Sequence, residues 1–179
     1  MKIRDRIVLG ITAGVLAGIP ARLVNNAIYK IGLTDRKYGQ MAASLFLPAK
    51  KQKAHPRETR IVGSLTDRIN CSMMGIAITY LLSATGRDNA VIKGVTTSSL
   101  AWITLYGLTS RLGVVPPSRK PWSSLLSFTD HAIFGGLCAL LVANLGHPSL
   151  FPDGRRYVPL APPAAVPVYP TSTPEFTPQ

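Results

Sequence analysis

The sequence predicts an all-α protein: a polytopic membrane bundle of four transmembrane helices, followed by a proline-rich, disordered C-terminal tail. Three observations lead there. Four apolar stretches, about 7–33, 61–83, 90–112 and 125–145, are each long enough to cross a bilayer, because about 20 residues rising 1.5 Å each cover a hydrocarbon core of about 30 Å. The connections between them collect Lys, Arg and Pro. After Gly146 apolar periodicity stops, and nine prolines fall between Pro148 and Pro178. The chain therefore divides into a transmembrane domain, 1–147, and a tail, 148–179.

The totals agree with one bundle. The chain has 179 residues, and its mean hydropathy of +0.21 is diluted by two polar regions, 34–60 and the tail. Twenty Lys and Arg against 8 Asp and Glu give a net charge of +12. Nucleic-acid binders share that balance, but membrane proteins gather the same cations beside their spans, where they set orientation and meet anionic lipid. No nucleic-acid module or aromatic-basic platform is present. Anionic headgroups are the expected partner, and nucleic acid is not.

Span one opens after Lys2, Arg4 and Arg6, as a signal peptide would. No small-x-small cleavage site follows and the apolar run continues past Pro20, so an uncleaved span is expected, kinked or weakened at Pro20. Gly10, Gly14 and Gly18 share one helix face. Small residues at that spacing let another helix approach closely. The partner is either another span of this chain, the favoured reading, or a second copy. In the loop 34–60, Met41–Leu47 is too short to span and reads as an interfacial segment ended by Pro48. Lys50, Lys51, Lys53, Arg57 and Arg60 follow, as lipid-headgroup candidates or an ordinary orientation signal.

Spans two and three are joined by the short connection 84–89 and form an antiparallel hairpin. Pro116, Pro117 and Pro121 stiffen the connection to span four, which carries Gly135 and Gly136 as further packing positions. Cys71 and Cys138 lie inside spans without ligand spacing, so they read as small apolar residues, with no metal and no disulfide. The positive-inside rule leans towards placing the first and third loops in the cytoplasm, although the N-terminal cations argue the other way.

Ionisable residues inside a span need a partner or a purpose. Arg22 lies about 15 residues into span one, roughly 22 Å from its start. Asp67 and Arg68 lie early in span two, and Asp130 and His131 early in span four. These groups, with Asn25, Asn26 and Asn70, therefore converge on the half of the bilayer next to the first and third loops. Arg22 is expected to pair with Asp67 or Asp130, while Arg68, turned about 100° from Asp67, snorkels to headgroups. Two readings of the cluster compete: a polar clasp that fixes helix order, or a proton or ion relay. Against the relay, the opposite halves of the spans are apolar apart from hydroxyls and Tyr80. No nucleophile elbow, phosphate loop, zinc spacing or haem motif is present, so no enzyme and no cofactor are expected.

Asp130–Gly136 (DHAIFGG), Tyr80–Lys93 (YLLSATGRDNAVIK) and Trp102–Gly107 (WITLYG) resemble segments of small four-span membrane proteins of Gram-positive bacteria. The resemblance covers roughly Arg4–Phe151. It implies a bacterial inner-membrane location and brings no activity, cofactor or catalytic residue. The resulting expectation is a non-enzymatic structural or interaction component, partnered by lipid, by a second copy or by another membrane protein. The alternative is an ion- or proton-coupled transporter or channel subunit.

Overall fold

In a computed structural model of the chain, residues 2–35, 37–113, 118 and 120–152 are described. Their regular structure is helical, with a single isolated backbone bridge, Ile3 to Gly146, among the described residues. The elements are α1 (Arg6–Lys30), α2 (Tyr38–Ala43), α3 (Ala49–Ala54), α4 (Pro56–Thr85), α5 (Ala90–Arg111) and α6 (Pro121–Leu145), followed by a 3₁₀ turn, Pro148–Leu150. Two of the helices, α1 and Trp122–Leu145 of α6, are long and apolar enough to cross a membrane. The proline-rich tail beyond Pro152 lies outside the described residues, as do Pro116 and Pro117.

Helix ends follow local chemistry. The Asp5 side chain caps α1 by accepting from the Val8 N–H at 2.8 Å. The helix continues through Pro20, although a proline there removes one backbone donor. It ends at Lys30, three residues before the apolar run does, because Gly32 adopts φ +79°. Gly32 N–H then reaches the Tyr29 carbonyl at 3.1 Å and Leu33 N–H the Ile28 carbonyl at 3.0 Å, the paired closure of a left-handed glycine cap. At the other junction, α4 starts at Pro56 rather than near Ile61. Proline suits a first helical position because its missing N–H would have no partner there. Arg57 and Arg60 therefore belong to the first turns of α4, and Lys50, Lys51 and Lys53 to α3.

Glycine sets the helix pairing. A Cβ on Gly14 would collide with the Cys71 carbonyl, and one on Gly75 with the Gly10 carbonyl. Gly18 faces the Cys71 side chain. The glycine face of α1 is thus turned to α4 of the same chain, antiparallel to it. Gly94 and Gly135 meet backbone to backbone in the same manner, joining α5 to α6. Gly136 sits beside Val91 and Val95. Between these pairs lies a core of Leu9, Ala13, Ala17, Ile78, Leu82, Phe134, Cys138, Ala139 and Val142. It is built largely from small side chains, as close helix approach requires. Both cysteines are free thiols.

The two ends of the bundle differ. At the N-terminal end Ile3 exchanges backbone bonds with Leu145 and His147, and Arg87 stacks on the Phe151 ring at 5.1 Å. At the opposite end, called here the loop end, Lys120 Nζ donates to the Gly32 carbonyl and Thr34 Oγ1 bonds Ser123 Oγ at 2.7 Å. The segment Met41–Leu47, read as interfacial, overlaps α2, which is docked on the bundle. Gly39 of α2 abuts Gly63 of α4, and Ala42 and Ala43 are buried.

Candidate functional site

The polar residues of the loop end form two constellations. In the first, Arg22 of α1 donates through Nη2 to Asp67 of α4 as an ion pair, while its Nη1 lies 3.4 Å from Ser64 Oγ. Arg22 keeps 34% of its side chain exposed and Asp67 17%, so the pair is half-buried rather than sealed. Ser64 and Asp67 are three residues apart and share a helix face, which explains how one guanidinium can reach both.

The second constellation is organised by Tyr38, the first residue of α2. Its hydroxyl donates to Asp130 Oδ2 at 2.5 Å, and its backbone N–H donates to Asn25 Oδ1 at 3.0 Å. Asn25 thereby supplies one of the acceptors that a helix N-terminus lacks. The Tyr38 ring meets His131 edge to face at 5.6 Å. His131 Nδ1 lies 2.7 Å from the Ser127 carbonyl. A carbonyl only accepts, so Nδ1 carries the hydrogen. Burial, then the Asp130 charge, push the Tyr38 phenol above its ordinary range. It therefore stays a hydrogen-bond donor towards the carboxylate at neutral pH.

Arg22, Asn25, Asp67, Asp130 and His131 all take part in these two groups. Arg22 is joined to Asp67, and Asp130 to Tyr38. Arg68 and Asn70 stand apart: both are exposed on α4, because successive residues rotate about 100° around a helix and only the Ser64–Asp67 side faces α1. Asn26 lines a cleft of about 980 Å³ between α1, α2, α3 and the start of α4. Of the five headgroup candidates, Lys53 and Arg60 line the same cleft, joined by Arg22 and Lys37; Lys50, Lys51 and Arg57 are exposed outside it. Lys37 also lies over the Tyr29 ring at 4.5 Å.

Sequence reasoning passed over Tyr38, Ser64 and Ser127. Ser127 holds two residues at once, through its carbonyl to His131 and through its hydroxyl to Trp102 Nε1 at 3.0 Å. An aromatic residue in a polar loop directly before a short apolar segment was the one available sign for Tyr38. Its contact with Asp130 spans 92 positions, beyond the reach of any local pattern. Among the described residues, no group of three His, Cys, Asp or Glu side chains is placed to hold a metal ion. No family model, curated protein or solved structure matches the chain.

Proposed function

We propose that this chain is a four-span integral protein of the bacterial inner membrane, acting as a non-enzymatic structural or interaction component. The observation that carries the reading is the inverted distribution of side chains. Ile61, Leu65, Ile69 and Met73 form an exposed stripe on α4, Val91, Ile92, Leu100, Ile103, Leu105 and Leu108 are exposed on α5, and α1 and α6 show the same pattern. Meanwhile Thr66, Thr79, Ser98 and Asp130 are buried. A water-soluble fold rarely leaves so much contiguous apolar surface outside, whereas lipid accepts it.

The same inversion accounts for the lower hydropathy of α4 and α5. Some of their hydroxyls are buried and bonded within their own helix: Thr66 Oγ1 donates to the Val62 carbonyl and Thr79 Oγ1 to the Gly75 carbonyl, each at 2.8 Å. Self-bonded hydroxyls remove most of the cost of placing such residues in hydrocarbon. What supports a clasp over a relay is that the polar groups are joined in pairs at one end. Beyond them the α1–α4 contact is closed by the packing of Gly10, Gly14 and Gly75 and by Leu9 and Ile78.

Cysteine accessibility separates four spans from two. In a Cys71→Ser, Cys138→Ser background, single cysteines at Lys53, Asp88 and Ser118 are labelled from either side with an impermeant thiol reagent. Four spans place Asp88 on the side opposite to Lys53 and Ser118. If only α1 and α6 crossed, all three would label from one side, and the reading would fall.

A further inference from the structure

We infer that the cleft at the loop end is a binding site for the phosphate headgroup of an anionic phospholipid. This deepens the membrane reading and rests on it. Four separate segments contribute cations to the cleft: Arg22 from α1, Lys37 beside α2, Lys53 from α3 and Arg60 from α4. The carboxylates that face them are Asp35 in the lining and Asp67 behind Arg22. Among the described residues, two positive charges are left in excess.

Among the described residues, Lys53 and Arg60 make no ion pair and no side-chain hydrogen bond. Arg22, by contrast, is held in place by Asp67 and Ser64, so one guanidinium is oriented and two flexible cations are left to close on an anion. Pro56 and Thr59 bring the N-terminal turn of a 30-residue helix to the rim, where the helix dipole adds positive potential. Phosphate is the anion these donors suit, since guanidinium groups offer it paired N–H bonds. The volume of about 980 Å³ far exceeds an inorganic phosphate and falls within the range of sites for larger ligands. Met41, Ala49 and Pro56 add apolar surface to the same lining. Cations beside apolar surface suit a phosphate that carries an acyl chain better than a soluble ion.

The test uses the full chain in a zwitterionic detergent, titrated with dioleoylphosphatidylglycerol, dioleoylphosphatidylcholine or inorganic phosphate, and reads the shift in melting temperature. Phosphatidylglycerol is expected to stabilise the wild type, and phosphatidylcholine and phosphate to do so far less. In the double variant Lys53→Gln/Arg60→Gln the apparent affinity for phosphatidylglycerol falls about tenfold or more. The double variant Lys50→Gln/Lys51→Gln, with the same charge removed outside the cleft, keeps it. An equal loss in both variants would mean diffuse surface charge and would overturn the site. Equal stabilisation by phosphatidylcholine would overturn anion recognition, and equal stabilisation by inorganic phosphate would overturn the lipid as its source. Carbonate extraction of the native membranes keeps the two failures distinct: a chain released by carbonate loses the membrane reading, while a chain retained but unselective loses the cleft alone.

Discussion

Replacing Asp67 by Asn removes one charge from the Arg22 pair while leaving its shape. Two unit charges about 4 Å apart attract by about 4 kcal/mol at an effective dielectric constant of about 20. Desolvation of both groups offsets part of that, and Arg22 opens into the cleft with 34% of its side chain exposed, so water replaces some of what the carboxylate supplied. The cost of Asp67→Asn should therefore be about 2 kcal/mol, below the 3–5 kcal/mol typical of breaking a sealed pair. Arg22→Ala should cost a similar amount, and the double variant clearly less than the sum, with a coupling of at least about 1 kcal/mol. Reversible unfolding in mixed micelles reads all three. Arg68→Ala is the control, since its side chain is exposed and should change stability by less than about 0.5 kcal/mol. Single variants within about 0.5 kcal/mol of wild type, adding without coupling, would refute the clasp.

Tyr38→Phe leaves the Asp130 carboxylate, 4% exposed, without its donor and should destabilise by about 1–3 kcal/mol. The Tyr38 phenol is raised above its ordinary value of 10.0, so its contribution is whole below pH 10 and is lost as pH climbs above that value. The stability difference between wild type and Tyr38→Phe should therefore shrink on the alkaline side, and a constant difference up to pH 11 would count against the assignment. Gly14→Ala and Gly135→Ala force a methyl group against backbone and should cost about 1–3 kcal/mol or more each. Gly107→Ala meets nothing within 4 Å and should be neutral or stabilising by up to about 1 kcal/mol, so similar melting of all three variants would contradict the packing. Proteoliposomes containing the wild type should show no proton or ion flux above that of empty vesicles. A specific flux abolished by Asp130→Asn would favour the relay instead.

Much of the architecture was legible in the sequence. Apolar run length located the cores of the four long helices, and the rise per residue put Arg22, Asp67 and Asp130 towards the same end of the bundle. The four-residue spacing of Gly10, Gly14 and Gly18 marked a close-packing face. Run length failed where it stopped being the governing quantity. At Lys30 a left-handed glycine cap ends the helix before the apolar run does, and at Pro56 a favourable first position starts α4 inside a basic segment.

Position along the bundle axis follows from rise along one helix, which any helix carries within itself. Partner choice does not: it depends on how two helices rotate and slide against each other, and that is set by the backbone contact of Gly10 and Gly14 with Gly75 and Cys71. This contact assigns Arg22 to Asp67, turns Arg68 and Asn70 outward, and leaves Asp130 to Tyr38. Docking of Gly39 on Gly63 then folds the first loop over the bundle mouth. The cations of one linear cluster are thereby split between the cleft and the surface. Local sequence determined which residues are polar and how far along their helices they lie; only close contact between distant glycines decided which of them meet.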